Sequence, residues 1–163
     1  MSLKQQYGSL ALVAGASEGI GAAYAEYLAK EGLDLILVAR RKEPLEQFAA
    51  TLIEKYKIKA DCICCDLADM NAAQELYNML QGKEINMLVY NAALSYIGPF
   101  EKNSIEHHNR IAQANMITPM NLLQLFGTPM LAKGKGAVIL MASLAGFQGS
   151  GFLSVYAASK AFD

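Results

Sequence analysis

The chain has 163 residues, and its fourteen basic and fifteen acidic side chains leave a formal net charge of −1. Apolar residues make up 53% of the sequence, which is enough for one packed domain and argues against intrinsic disorder. The sequence has no basic stripe and no apolar run of membrane-spanning length, so it predicts no nucleic-acid or membrane partner, and we expect a cytoplasmic protein.

Five short apolar segments predict β-strands along the chain. They read SLALVAG, LDLILVAR, KADCICCDL, INMLVYNAA and GAVILMAS. Nearly continuous apolarity is typical of strands that are covered on both faces. Because helical segments separate these strands, the sequence predicts an α/β fold with a doubly wound parallel sheet and right-handed crossovers.

Four segments between the strands have the apolar spacing of helices. Residues 20–28 follow the amphipathic pattern, Pro44 opens the second helix, and residues 70–80 form the third. A longer helix is predicted over residues 105–125, in which Pro119 should cause a bend or a break.

Two groups of chemically reactive side chains have simple structural interpretations. Cys62, Cys64 and Cys65 favour a buried strand, because Cys-x-Cys-Cys without a second ligand cluster is weak evidence for a metal site. His107 and His108 lie in the polar stretch EKNSIEHHNR, which predicts the solvated start of a helix. We expect neither a metal site nor a catalytic histidine.

Three glycines mark the turn from the first predicted strand into the first helix. Gly15 permits a tight turn, Gly19 lets the backbone approach a pyrophosphate, and Gly21 allows the helix to pack closely on the strand. The free N–H groups at the start of the helix add a partial positive charge. The pattern predicts a dinucleotide-binding turn, with the spacing Gly-x-x-x-Gly-x-Gly.

This spacing, together with the closing motif YAASK, resembles the classical short-chain dehydrogenase/reductase family. The motifs GASEGIG, CDL, NAA and YAASK follow one another in the family's order, and the likeness extends from about Leu10 to the last residue. The resemblance implies a Rossmann-type fold and hydride transfer between a nicotinamide cofactor and a small carbonyl or alcohol substrate. Ala14, Tyr90 and Ala93 depart from the family's usual threonine, asparagine and glycine.

The resemblance implies four catalytic residues. Tyr156 would exchange a proton with the substrate oxygen, and an ammonium group at Lys160, one helical turn away, would favour its phenolate and lower its pKa. Lys160 would also hold the ribose of the nicotinamide half. Ser143 would donate a hydrogen bond to the substrate oxygen, and Asn115 would position a lysine-bound water in a proton relay.

The resemblance also implies a cofactor site. Asp66 would hold the adenine ring, and Asn91 would brace the central strands. The expected cofactor-binding residues are Gly15, Ser17, Gly19, Ile20, Gly21, Arg40, Asp66, Leu67, Asn91, Ala92, Tyr156 and Lys160.

The end of the second predicted strand indicates which dinucleotide binds. NAD-dependent enzymes place an aspartate there, whereas this chain has Ala39 followed by Arg40. Without the carboxylate a 2′-phosphate is not repelled, and a guanidinium group can bind it. The sequence therefore predicts NADP(H).

The family's catalytic helix is long and is followed by two more strands. We therefore expect residues 1–163 to be a single dinucleotide-binding domain that is incomplete at its carboxyl end, with a sheet truncated after the fifth strand. The full-length protein is expected to form a homo-oligomer. Apolar Ile97, Phe100, Phe147 and Phe152 suggest an apolar or partly apolar carbonyl substrate.

Two other functions are open at this stage. An epimerase or dehydratase of the family's extended branch is disfavoured by the glycine spacing and by the absent aspartate after the second strand. A catalytically silent nucleotide-binding sensor is disfavoured because Asn115, Ser143, Tyr156 and Lys160 are all present.

Overall fold

The computed structural model describes residues 2–163, whose five strands form one parallel sheet. The strands are β1 (Leu10–Ala14), β2 (Asp34–Ala39), β3 (Ala60–Cys64), β4 (Met87–Tyr90) and β5 (Ala137–Leu140), in the order β3-β2-β1-β4-β5. This arrangement confirms the predicted doubly wound sheet. The strand order reverses between β1 and β4, which places a crevice at their carboxyl ends.

Helices cover both faces of the sheet. They are α1 (Leu3–Tyr7), α2 (Gly19–Lys30), α3 (Lys42–Tyr56), α4 (Ala72–Met79), α5 (Ile105–Ala112), α6 (Thr118–Leu122), α7 (Thr128–Lys133) and α8 (Ser154–Phe162). The helix α3 begins two residues before Pro44, and α4 begins at Ala72 rather than at residue 70. None of the helices within residues 2–163 is long and apolar enough to cross a membrane.

Two apolar clusters hold the helices on the sheet. On one face, Leu28 of α2 and Leu45 of α3 pack on β1 and β2; on the other, Leu76 of α4 and Leu122 of α6 pack on β1 and β4. These side chains are fully buried, and the burial of each contributes about 1.5–3 kcal/mol to the free energy of folding, relative to leaving the side chain exposed. The core therefore fixes the carboxyl ends of β1 and β4 side by side.

The stretch from α5 to α7 is helical throughout and includes two π-helical turns, Gln113–Ile117 and Leu123–Gly127. Pro119 and Pro129 each follow one of these turns by two residues. A proline lacks the N–H that a continuing helix requires, and the wider π-turn accommodates this loss. Of the predicted bend or break at Pro119, the break does not occur, and the helical stretch continues past residue 125 to Lys133.

The three cysteines belong to β3 and the residue that follows it, which confirms the predicted strand, but β3 is an edge strand in which no residue is buried, so the prediction of a buried strand is wrong. Cys62 packs against the cluster under α3, and Cys65 against the cluster on the opposite face. Burial raises the pKa of Cys65 to about 11, so this thiol stays protonated at neutral pH. Cys64 is exposed, and its Sγ lies 3.1 Å from the carbonyl oxygen of Arg40.

Candidate active site

The glycine turn lies against the end of β4. Gly15 has φ +81°, its N–H donates to Val38 O at 2.9 Å, and a Cβ added to it would lie 2.7 Å from the backbone nitrogen of Ala92. A Cβ on Gly21 would lie 2.0 Å from Gly15 O. A side chain at Gly15 would push the turn away from β4, and a side chain at Gly21 would push α2 away from the turn. The close approach therefore requires glycine at both positions.

A cavity of about 240 Å³ extends from this turn along the carboxyl ends of β2 and β4. It brings together many of the predicted cofactor residues, namely Gly15, Ser17, Arg40, Asp66, Leu67, Asn91 and Ala92. Gly19, Ile20 and Gly21 form the first turn of α2 and do not line the cavity. Another cavity, of about 270 Å³ between α4 and α7, lies at the opposite edge of the sheet and contains none of the predicted residues.

Asp66 is held at the mouth of the crevice by two donors. Its Oδ1 accepts from the N–H of Ala68 at 3.0 Å, and its Oδ2 accepts from Nη2 of Arg110 at 2.6 Å. Burial opposes ionisation of this carboxyl group, but the bonds from Ala68 and Arg110 outweigh it and lower the pKa of Asp66. The carboxylate is therefore ionised at neutral pH and has a fixed orientation.

The contact from Arg110 leads to a prediction about cofactor affinity. Replacing Arg110 with Ala removes an exposed ion pair, which is worth about 0.2–1 kcal/mol, and frees Asp66 to rotate. We expect the R110A variant to bind NADPH about two- to five-fold more weakly, as measured by isothermal titration calorimetry. The matched control is Lys133→Ala, which removes the exposed Lys133–Glu84 pair of 2.9 Å remote from the cavity. Equal losses in the two variants would contradict a role for Arg110 at Asp66.

Arginines follow β2 at the other side of the cavity. Arg40 is exposed and lines the cavity, and Ala39 before it is 6% exposed. Arg41 pairs with Glu18 of the glycine turn at 2.7 Å, although both side chains are more than half exposed. This pair joins the turn to the start of α3 and neutralises the Glu18 carboxylate beside the cavity.

Asn115 is fully buried in the first π-turn, and its side chain is tied at three points. Its Oδ1 accepts from Leu94 N at 2.8 Å, while its Nδ2 donates to Leu94 O and to Ser159 Oγ, both at 2.9 Å. The Ser159 hydroxyl donates in turn to Tyr156 O at 2.7 Å. Asn115 therefore joins the segment after β4 to the helix that carries Tyr156.

Ser143 and Lys160 both lie near the end of β5, and Tyr156 lies one turn before Lys160 on α8. Ser143 begins the short 3-10 helix Leu144–Phe147, and its Oγ accepts from Ala145 N at 3.2 Å. Nζ of Lys160 donates to Met141 O and to the Asp163 carboxylate, each at 2.6 Å. Lys160 makes no hydrogen bond to Tyr156 in the part of the chain that the structure describes, so its predicted effect on the Tyr156 pKa stays a prediction.

The histidines are less solvated than predicted. The ring of His108 stacks on Phe100 at 4.4 Å between centroids, and its Nε2 lies 3.1 Å from Phe100 O. Nε2 of His107 is buried and has no hydrogen-bond partner within residues 2–163. The predicted helix start is confirmed, and Ser104 and Glu106 are exposed, but both histidines are half-buried because the loop after β4 folds back over the first turn of α5. His108 also borders the small cavity beside Tyr156.

The comparisons with known proteins establish the family. The family model for short chain dehydrogenases matches residues 9–162. The chain therefore belongs to the short-chain dehydrogenase family.

Curated relatives are similar over nearly the whole chain. A 7beta-hydroxysteroid dehydrogenase of Mediterraneibacter gnavus is 30% identical over 99% of this chain and 62% of its own length. The human very-long-chain 3-oxoacyl-CoA reductase is 31% identical over 95% of this chain and 51% of its own length. The chain thus spans between half and two thirds of the length of these relatives.

Solved structures have the same fold. The structure from a study of 7beta-hydroxysteroid dehydrogenase stereoselectivity superposes with a TM-score of 0.96 at 29% identity, covering 99% of this chain and 64% of its own. A short-chain dehydrogenase from Sphingobium yanoikuyae in complex with NADPH gives a TM-score of 0.89 at 32% identity, covering 94% of this chain and 60% of its own.

Proposed function

We propose that the protein is an NADP-dependent oxidoreductase that transfers hydride between NADP(H) and a carbonyl or alcohol substrate. The observation that carries this proposal is the bond from Lys160 to Met141 O at 2.6 Å, which ties the helix of Tyr156 to the end of β5 two residues before Ser143. In this proposal the helix that carries Tyr156 and the residue Ser143 would present a proton donor and a hydroxyl donor at the sheet edge where the dinucleotide cavity lies. The family membership supports the same class of reaction.

The residues present fit a dinucleotide. The close approach of Gly15 and Gly21, where a Cβ would clash with backbone, makes room for a pyrophosphate at the start of α2, and Gly19 has φ +59° with open space around it. Asp66 would accept from the adenine amino group, and Lys160 would hold the ribose of the nicotinamide half. When bound, the reduced nicotinamide supplies the hydride.

In this proposal the chain's own residues supply the proton and stabilise the negative charge that develops on the substrate oxygen. In carbonyl reduction the carbon gains a hydride, so the oxygen becomes negative and must gain a proton. We propose that Tyr156 gives this proton, that Ser143 donates a hydrogen bond to the same oxygen, and that Lys160 stabilises the phenolate left on Tyr156. Asn115 would position the water through which Tyr156 is reprotonated.

Arg40 should determine the preference for NADP(H). Loss of a charge-assisted bond to a 2′-phosphate costs roughly 1.5–3 kcal/mol, and the exposure of Arg40 favours the lower value. We expect Arg40→Ala to weaken NADPH binding about 10-fold and NADH binding less than two-fold, as measured by fluorescence titration. Lys42→Ala, which removes a nearby exposed charge, is the control. Equal losses for the two cofactors would contradict a 2′-phosphate role.

The substrate is proposed to be a bulky, largely apolar ketone or the corresponding alcohol. Ile97, Phe100, Phe147 and Phe152 are exposed, and the hydrogen bond from Gly98 N to Phe152 O at 3.0 Å joins the two segments that carry them next to Tyr156. The relatives named for hydroxysteroids and for very-long-chain 3-oxoacyl-CoA also support a bulky, largely apolar substrate.

An NADPH-oxidation screen of the full-length protein tests the function. The substrates are ketosteroids, 3-oxoacyl thioesters, bulky aryl ketones and small polar aldehydes. Turnover of bulky ketones above the others supports the proposal, and no turnover of any carbonyl compound with either NADPH or NADH contradicts it.

A homo-oligomer is proposed as the working state. Ile117, Met120, Leu123 and Leu131 are apolar and exposed along the helical stretch from α5 to α7, where the family resemblance places subunit contacts. Light scattering on the full-length protein measures the number of subunits.

A further inference from the structure

One buried tyrosine, which replaces an asparagine of the family's usual motif, has no role assigned by the resemblance and contacts the site. Tyr90 ends β4 and is 3% exposed, and its hydroxyl donates to the carbonyl oxygen of Ala114, which is also buried. Burial raises the pKa of Tyr90, so the hydroxyl keeps its proton and remains a donor at any physiological pH. Ala114 immediately precedes Asn115 in the chain.

The local helix geometry explains why Ala114 needs this donor. In the π-turn Gln113–Ile117, the N–H of Thr118 donates to Gln113 O instead of to Ala114 O. The next residue, Pro119, has no N–H to offer. A buried carbonyl oxygen without a donor is costly, and Tyr90 supplies the donor from the neighbouring strand.

We infer that Tyr90 is a positioning residue for Asn115: its hydroxyl fixes the π-turn from which the Asn115 side chain reaches Leu94 and Ser159. This inference rests on the proposed function, in which Asn115 serves the proton relay of Tyr156. Without the hydroxyl, the turn would relax toward an α-helical register, which rotates Asn115 away from Leu94 and loosens its bond to Ser159.

A second group of hydrogen bonds, made by Thr118, holds the same turn at its other end. The hydroxyl of Thr118 donates to Leu67 O at 2.9 Å and accepts from Gln113 Nε2 at 3.0 Å. These bonds hold the carboxyl end of the turn against the segment after β3, on the cofactor side. Tyr90 holds the amino-terminal part of the turn, on the Asn115 side, so its removal should affect catalysis more than cofactor binding.

The test replaces Tyr90 with Phe in the full-length protein, which keeps the ring and removes the donor. We expect kcat to fall about 10-fold, with KM and the Kd for NADPH changed less than three-fold, because a displacement of about 1 Å can cost up to 10²-fold in rate. The matched control is Tyr77→Phe. Tyr77 packs in the same cluster, 5.6 Å from Phe126, and its hydroxyl makes no hydrogen bond within residues 2–163.

Amide hydrogen exchange provides a readout that does not depend on activity. The N–H of Leu94 donates to Asn115 Oδ1, so Y90F should speed its exchange about 10-fold while Y77F leaves it within two-fold. An inactive wild-type protein would overturn the proposed function, and the exchange at Leu94 would still decide the role of Tyr90. Unchanged kcat and unchanged Leu94 exchange in Y90F would overturn the inference. A faster amide exchange that is spread equally over all strands would also overturn it.

A second variant covers the case in which Y90F does not fold. Adding Pro119→Ala to Y90F returns a backbone N–H to the turn, which can donate to the carbonyl oxygen in place of the tyrosine. Recovery of soluble protein with slow exchange at Leu94 supports the inference, and failure to recover either of them overturns it.

Discussion

Replacing Tyr156 with Phe in the full-length protein should lower turnover by about 10²–10⁴-fold, the range that general acid catalysis contributes. The phenyl ring of the variant would keep the packing of Tyr156 in the cavity that it shares with Tyr96 and Phe152, but in the proposed mechanism the substrate oxygen would have no proton donor. NADPH binding should change less than three-fold, because Lys160 and the glycine turn are untouched. Stopped-flow NADPH oxidation measures the rate, and fluorescence titration measures the binding.

The control for this prediction is Tyr27→Phe, an equal change on the exposed surface of α2. It should leave turnover and cofactor binding within two-fold. A Y156F protein that reduces a carbonyl substrate at more than about a tenth of the wild-type rate would contradict the role of Tyr156 as proton donor.

The sheet and the dinucleotide cavity could be predicted because local patterns specify them. Apolar runs such as LDLILVAR are typical of strands covered on both faces, and parallel strands end at one edge of the sheet. Gly15, Arg40 and Asp66 each follow a different predicted strand, so the topology alone brings them to the same crevice. The resemblance then supplies roles for them.

The contacts that orient the site could not be predicted, because they join residues that are distant in the sequence. Arg110 and Asp66 are 44 residues apart, and Tyr90 and Ala114 are 24 apart. Neither Arg110 in a polar helix nor Tyr90 in an apolar strand has a pattern that identifies its partner. Once the resemblance is known, the one available signal is that Tyr90 replaces the family's usual asparagine.

Two other features of the structure that were not predicted have signals in the local sequence. The helix α1 is only five residues long, but Ser2 and Gln5 form a capping box, with bonds of 3.3 and 3.1 Å, that the spacing S-x-x-Q indicates. Pro119 predicts a bend or a break in the long helix. Because a π-turn absorbs the missing N–H before this proline, sequence patterns indicate the irregularity but not its form.

Replacing Ala39 with Asp should reverse the cofactor preference. Ala39 ends β2, lines the cavity and precedes Arg40, so a carboxylate there would border the cavity in which we propose that the adenosine ribose binds. Coulomb's law gives a repulsion of about 3 kcal/mol per unit charge for a carboxylate and a phosphate about 5 Å apart at an effective dielectric constant of about 20, before screening by salt. The same carboxylate can accept from the free ribose hydroxyls of NADH, which contributes about 1.5–3 kcal/mol.

Together these effects should shift the ratio of NADPH to NADH affinity by about 10²–10³-fold toward NADH, allowing for solvent exposure at the crevice. The matched control is Ala39→Asn, which has the same size and can bond to the ribose but carries no charge. Titrations of both variants at low and high salt separate charge from bulk, because repulsion of the phosphate weakens as salt rises and a steric clash does not. Equal losses of NADPH affinity in A39D and A39N, independent of salt, would contradict electrostatic selection at this position.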